Sequence, residues 1–455
     1  MLSRRHPFSV AERVTPSRLT LSPYADGMKE TQTPTISRVL ENGTLIELLY
    51  DPVLQSTALL EGTQDGSSHI KQRIELPSGE VLVPYLADNN LIATGCVVLP
   101  SKVGPWRGKA ELLSNLRAFI HAYVDLPDPF EEIAAHYVLL SWVYDAFTDL
   151  PYLRFRGDYG TGKTRALLVL GSLAYKGFFA SGASTVSPIF HIQDAFQGTL
   201  ILDEADFRFS DASAQLTKIL NNGSTKGLPV LRTMSNRNRE LNPQAFRVFG
   251  PKVIEMRQRF SDLALESRFI TCETSGRRLR PEVPIHLPEG FHSEALELRN
   301  KLLAWRFRSR FSVGPDPTRQ AQGMAARYRQ SSWALLSLVD DPDLRDQIAR
   351  ELAGEEVRVL NERAYSFEAA MLGAVLEAFA ASPTAQAPIK AIAERFNAVN
   401  AEDLGQPMSN KWIAGSVRRR LGLKTIRTGG VYAIPPSERP RVEQLAIRYG
   451  LSKAA

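Results

Sequence analysis

The stretch YLRFRGDYGTGKTRALLVLGSLAY, residues 152–175, decides the fold. Tyr152 to Phe155 reads as a short apolar strand, and Thr164 to about Tyr175 as a helix. Between them Gly157–Thr164 fits G-x-x-x-x-G-K-[ST] without departure. The glycines permit backbone angles that a side chain forbids, so the chain can wrap an anion. The loop amides and the helix N-terminus then point at that anion. Gly157, Asp158, Tyr159, Gly160, Thr161, Gly162, Lys163, Thr164 and Arg165 are therefore the candidate triphosphate-binding residues. Lys163 is expected to reach the β- and γ-phosphates and Thr164 to ligate Mg²⁺. ATP and Mg²⁺ are the cofactors implied.

The second half of such a site lies about 40 residues on, in GTLILDEAD (198–206). Thr199–Leu202 reads as a buried strand with Asp203 and Glu204 at its end. A carboxylate there meets the metal held by Thr164, and the next can act as general base toward water. Asp203 is the candidate metal ligand, Glu204 the candidate hydrolytic base, and Asp206 a candidate helix cap. Strand and helix signals alternate over 151–280, so a parallel α/β sheet with helices on both faces is expected.

The totals bound the rest. The chain has 455 residues, 44% hydrophobic and 23% charged, as in ordinary globular proteins. That length suggests about two to four domains. No run approaches the roughly 20 apolar residues needed to span a bilayer, so no membrane role is expected and a cytoplasmic location is the default. The N-terminus carries two arginines with no apolar run behind them, which excludes a secretory signal; a flexible arm or a transit peptide share its composition. Cys96 and Cys272 have no metal spacing and are expected to be buried, reduced thiols. The net charge of +6 points to an acidic partner only where it is concentrated.

Five segments are expected: an arm over 1–38, a small β-rich module over 39–105, the sheet domain with its preceding helices over 106–285, a helical lid over 286–363, and a C-terminal unit over 364–455. Strands are expected in TLIELLYDP, STALLEG, EVLVPYL and LIATGCVVLP, with turns at Asp65-Gly66 and Ser78-Gly79. Trp305 and Trp333 are the expected anchors of the lid.

The tetrad DEAD (203–206) does not make this a two-lobed RNA helicase, because too little chain follows residue 280 to hold a second lobe. The sequence instead resembles AAA+ ATPases, and within them the MCM-like and superfamily 3 helicases of bacterial mobile elements or phages. The resemblance covers about 130–340. It rests on the loop and acid pair, on a helix opening over Ser184–Ile192, and on two further stretches. GLPVLR (227–232) and FRVF (246–249) flank a polar tip, SNRNRELN (235–242). They resemble the hairpin that such helicases insert into a central channel. The resemblance implies that Lys226, Arg232, Arg237 and Arg239 contact phosphates; a solvated surface hairpin has the same composition. Ser267-Arg268-Phe269 resembles the segment that carries an arginine finger. The resemblance implies that Arg268 acts in a neighbouring subunit's site, so the chain works as a homo-oligomer, a hexamer by analogy. A surface Arg268 paired with Glu266 is the plain alternative. For the polar sensors the resemblance leaves Arg257 or Gln258 open, and Arg327, Arg329 or Arg319 on the lid, with Arg327 taken as the nucleotide contact.

In the C-terminal unit, IKAIAERFNAV (389–399) and NKWIAGSVRRRL (410–421) are helical in pattern, and LKTIRTGGVYAI (423–434) reads as two strands turned at Gly429-Gly430. Helices followed by such a hairpin resemble a winged helix, with the second helix facing DNA. Residues 409–427 hold six basic residues and no acidic one. Lys411, Arg418, Arg419 and Arg420 are the candidate DNA contacts; a protein contact is the alternative. Two functions stay open: an ATP-driven DNA translocase or helicase, and a non-unwinding DNA-binding switch such as an initiator, loader or defence ATPase. Nothing resembles the substrate lid of a metabolic kinase.

Overall fold

The computed structural model describes residues 32–205, 211–235, 241–260, 262–274, 279–364, 366–382, 386–400, 406–428 and 430–451. Asp206, Arg237, Arg239 and Gly429 lie outside the described residues.

Strands begin at Gln32, inside the stretch read as an arm. β1 (Gln32–Thr35), β2 (Ser37–Val39), β3 (Leu45–Asp51), β4 (Ser56–Gly62), β5 (Ser68–Lys71), β6 (Ile74–Glu75) and β7 (Val81–Pro84) form two sheets, ordered β2-β3-β4-β5 and β1-β7-β6. Gly66 and Gly79 turn the chain at φ +93° and +83°, which a side chain disfavours. The segment after β7 departs from the strand expected there. Asn89 accepts a hydrogen bond from the Leu91 amide and caps a short helix, α1 (Asn90–Ala93). That leaves Cys96 in an irregular, partly exposed position, whereas Cys272 is buried as expected.

α2 (Lys109–Tyr123) and α3 (Asp128–Val143) precede the central layer. That layer runs β8 (Tyr152–Arg156), α4 (Lys163–Leu173), β9 (Phe178–Ser181), α5 (Val186–Phe196), β10 (Leu200–Asp203), α6 (Asp211–Asn222), a hairpin of β11 (Val230–Ser235) and β12 (Leu241–Phe246), then β13 (Lys252–Met256), α7 (Leu263–Glu266) and β14 (Phe269–Glu273). The five core strands are all parallel, in the order β14-β8-β13-β10-β9. Both faces are covered, as the near-continuous apolar strands require. Leu153, Ile201, Val253 and Ile270 face a core shared with α2, α3 and α4. Leu202, Ile254 and Phe269 face a second core shared with α5 and α6. The chain leaves β8 toward β9 at one edge and leaves β13 toward β14 on the other side. That reversal of direction marks the C-terminal ends of the strands as the place where open α/β sheets bind ligands.

The N-terminal sheets are fused to this layer. Alternate residues of β3 enter both cores: Leu45 and Leu49 one, Ile46 and Leu48 the other. Between them the buried Glu47 meets Arg306 Nε at 2.6 Å and Tyr175 Oη at 2.8 Å, with Lys176 Nζ 3.5 Å away. Arg306 lies on α8 (Phe291–Ser309), which α9 (Ala326–Leu336) and α10 (Pro342–Ala364) follow. Trp305 is buried with its Nε1 on Leu139 O, whereas Trp333 is only partly buried and donates to Asp316 O at 2.7 Å.

The last unit runs α11 (Phe367–Ala380), β15 (Ala387–Pro388), α12 (Ile389–Asn400), α13 (Asn410–Arg419), β16 (Ile426–Thr428), β17 (Val431–Ile434) and α14 (Arg439–Arg448). Its antiparallel sheet is ordered β15-β17-β16. It has its own core, in which Ile413 and Val417 from one face of α13, with Leu421 just past its end, meet Ile392 and Phe396. Ser409 caps α13 by accepting from the Trp412 amide. Among the described residues no helix is long and apolar enough to cross a membrane.

Candidate nucleotide site

The loop between β8 and α4 stands at the C-terminal mouth of the sheet. Gly160 and Gly162 take φ +76° and +84°, and a Cβ added at either would meet nothing within 4 Å. Their requirement is therefore backbone angle rather than space. Gly162 is the N-cap of α4, whose first amides lack intrahelical acceptors. Thr161 Oγ1 pairs with Thr274 Oγ1 at 2.7 Å, which fastens the loop to the end of β14.

Lys163 is buried and folds back on its own loop. Its Nζ donates to Asp158 O at 2.8 Å and stands 3.5 Å from Glu255 Oε2. Thr164 Oγ1 reaches Asp203 Oδ1 at 3.3 Å, so the hydroxyl and the carboxylate expected to share a metal are adjacent. This oxygen pair fits a magnesium ion, a hard cation that takes oxygen ligands. Glu204 follows in the left-handed region at φ +54°, a strained angle for a side chain of its size. Its amide is held there by Glu255 Oε1 at 3.0 Å. Gly182, at the end of β9, leaves room for the Glu204 carbonyl; a Cβ there would sit 2.6 Å from it.

Glu255 is the residue that the motifs do not announce. It lies on β13 beside β10, where parallel pairing of Leu202 with Ile254 sets it next to Asp203. Burial pushes its carboxyl above the usual range, and Asp203 adds to this; the Glu204 amide and Lys163 oppose it. One carboxylate thus touches both halves of the site. Its signal in the sequence was a lone acid inside the apolar run KVIEM.

Other candidates fall elsewhere. Arg165 donates to the carbonyls of Pro284 and Ile285, which turns it away from the loop. Arg257 lies 5.9 Å from the ring centre of Tyr159 on the loop. Arg319 is spent on Ser337 O, Val339 O and Asp340. Arg268 sits at the opposite end of the sheet: its carbonyl accepts from the Tyr152 amide, where β8 begins. At about 3.3 Å per strand residue, the length of β8 puts it about 13 Å from the end that bears the loop. Its guanidinium donates to Ser224 Oγ and Asn221 Oδ1, each at 2.8 Å, and to Ala264 O. The Glu266 pairing does not form, because Glu266 is held by the buried Arg154 at 2.6 Å. Arg327 does not join the loop expected to bind nucleotide. It lies near Arg268, and after burial its charge is the next cause holding the Arg268 guanidinium below its ordinary range.

The hairpin of β11 and β12 forms with six paired positions. Lys226 is exposed at its root. Arg232 turns back, bonded to Gln215 at 3.1 Å and 4.8 Å from the Phe190 ring centre. On α13, Lys411, Arg418 and Arg419 are exposed, while Arg420 also pairs with Glu368 at 2.7 Å.

No family model matches the chain, and no curated protein matches it. Among solved structures it is similar to the apo C-terminal region of NrS-1, at 12% identity over 87% of this chain and 96% of that one, with a TM-score of 0.36. It is similar to a full-length MCM homologue from Methanopyrus kandleri, at 12% identity over 66% and 68%, with a TM-score of 0.34. It is also similar to JCV helicase, at 14% identity over 58% and 63%, with a TM-score of 0.21. The chain resembles MCM-like and helicase proteins.

Proposed function

We propose that this chain is an AAA+ ATPase that acts on DNA as a ring, hydrolysing ATP between subunits and using the energy to move its hairpins along a strand. The observation that carries this is the split of the catalytic set across the sheet. Lys163, Thr164, Asp203 and Glu204 stand at one end, and Arg268 with Arg327 stand at the other. Arg268 stands at the far end of the sheet from its own loop with Arg327 near it, which supports the reading that both serve a neighbour's loop.

In this reading the loop amides and Lys163 bind the β- and γ-phosphates. Magnesium, held by Thr164 and Asp203, would neutralise phosphate charge. Glu204 orients the attacking water and takes its proton. Arg268 and Arg327 enter from the next subunit and balance charge on the transferring phosphoryl group. A closed ring follows from a head-to-tail contact whose rotation closes, and a hexamer is the count we favour. Lys226 and Arg232, with Arg237 and Arg239, are the hairpin contacts to DNA. The order helix, strand, two helices, two strands over 367–434 supports a winged helix, with Lys411, Arg418, Arg419 and Arg420 facing the phosphates.

The test is ATP turnover with and without single-stranded DNA, together with strand displacement on a forked duplex. Stimulated turnover with displacement supports the motor. DNA binding without displacement or stimulation replaces it with the initiator or loader type of switch.

A further inference from the structure

α13 and α14 converge on a recess of which the function above uses only Arg419 and Arg420, leaving the α14 side unassigned. Arg419 and Arg420 line it from the end of α13, Arg441 and Arg448 from the two ends of α14, in a volume of about 420 Å³. Arg441, Gln444 and Arg448 share one stripe of α14 at helical spacing. All four arginines are exposed. The Arg441 guanidinium lies close over Gly422, where a Cβ would meet its Nη2 at 3.0 Å.

This concentration is not explained by local structure. Arg419 and Arg448 complement the C-terminal dipoles of their helices. Arg441 does not, because it sits in the first turn of α14, where a cation is disfavoured. Carboxylates meet two of the four arginines. Arg420 pairs with Glu368 at 2.7 Å, and Glu438 stays 3.9 Å from Arg441. Among the described residues Arg419 and Arg448 have no carboxylate partner.

The ligand class follows from exposure. A single ion pair in open water contributes little, so this recess cannot hold a small anion firmly. A polyanion is different, since each neutralised phosphate releases counterions and the gains add. The guanidinium fork also matches the oxygens of a phosphodiester.

The geometry points to a nucleic-acid backbone site in the recess between α13 and α14, held by Arg419, Arg441 and Arg448. This second track adds to the helix face that carries Lys411 and Arg418. The choice of DNA as occupant rests on the proposed function; the charge cluster does not.

The experiment is fluorescence anisotropy of the full chain with a labelled single-stranded oligonucleotide, without ATP, between about 50 and 200 mM salt. Arg441→Glu with Arg448→Glu is expected to weaken binding at least about tenfold. The slope of log affinity against log salt should become shallower by about 1.4, at about 0.7 per phosphate contact on a single strand. Arg441→Gln with Arg448→Gln, a milder change at the same exposed positions, should give the same shallower slope. Arg441→Lys with Arg448→Lys should retain most of the slope. Unchanged affinity and slope in either the Glu or the Gln pair overturns the site. Displacement of the oligonucleotide by polyglutamate at lower charge concentration than by unlabelled DNA also overturns it, in favour of an acidic protein segment. ATP turnover without DNA is measured in parallel. Its absence in the unaltered chain rejects the ATPase, whereas an affinity and slope left unchanged in the Glu or Gln pair reject the recess alone.

Discussion

Arg268 Nε donates to Ser224 Oγ at 2.8 Å, across 44 residues of chain. Ser224 lies on the segment that leads from α6 into β11, so the candidate finger is bonded to the root of the hairpin in its own subunit. Asn221 adds a second bond from the same segment at 2.8 Å. The guanidinium is thus positioned by the element that it would have to move. Ser224→Ala removes one hydrogen bond to a charged group, which typically contributes about 1.5–3 kcal/mol. Steady-state kinetics should show kcat lowered about tenfold with nucleotide affinity unchanged, and Ser224→Thr should restore kcat. Full turnover in the alanine variant would remove this link.

Separation of the catalytic set across the sheet predicts complementation. Lys163→Ala should abolish turnover and leave thermal unfolding unchanged. Arg268→Ala should lower turnover by about 10³-fold or more while sparing nucleotide binding. Mixed in equal amounts, the two variants should recover part of the activity, because one keeps an intact loop and the other an intact finger. A mixture as inactive as its components would place Arg268 outside the neighbour's site.

In the proposed site Glu255 would share Lys163 with the phosphates. With Glu255 Oε2 3.5 Å from the ammonium and both groups nearly buried, the pair competes with any incoming anion. Glu255→Gln keeps an oxygen for the Glu204 amide and removes the charge. Nucleotide affinity, read by titration, should rise about fivefold, equivalent to about 1 kcal/mol. Weaker binding in this variant would mean that Glu255 orders the site rather than restraining Lys163.

Lys252 is fully buried on β13 among the carbonyls of Val248 and Gly250, at 3.0 and 2.9 Å. Burial lowers its ammonium from 10.5 to about 7. Above pH 7 the folded chain therefore releases a proton that the unfolded chain keeps until about 10.5. Stability should rise with pH through this window, and below pH 7 both states are protonated and the penalty stays complete. Lys252→Met lacks the titration. The Tm of the native chain minus that of the variant should grow from pH 7 to 9, by no more than a few kcal/mol in stability. A flat difference would show that Lys252 keeps its charge when buried.

Arg154 and Glu266 form a fully buried pair, at 2.6 and 2.8 Å. Glu266→Ala leaves a buried cation without its counterion and should cost about 3–5 kcal/mol in urea unfolding. Arg154→Met with Glu266→Leu should recover most of that loss. A Glu266→Ala variant as stable as the native chain would show that the buried pair adds nothing net to stability.

The loop, the acid pair, the hairpin and the helices of the last unit were legible because each is a local pattern. Gly160 and Gly162 announce positive φ, and the alternation of strand and helix announces a parallel sheet. The C-terminal elements follow their apolar spacing, as Ile413 and Val417 do on one face of α13. Misreadings came where composition lacked period. Gln32–Val39 looked like an arm but pairs as edge strands, and the run around Cys96 looked like a strand but begins with a capped turn of helix.

The amino-acid sequence by itself determined the proposed phosphate-binding loop, since the groups of Gly157–Thr164 are neighbours along the chain. Only the tertiary structure decided which distant residues complete it. Glu255 meets Lys163 because β13 lies between β8 and β10, an order set by crossovers that leave no periodic trace. Arg268 joins Ser224, and Glu47 joins Arg306 across 259 residues, through tertiary packing in the same way. Residue spacing encodes which face a side chain takes, but lateral neighbours in a parallel sheet are chosen by packing of the whole core.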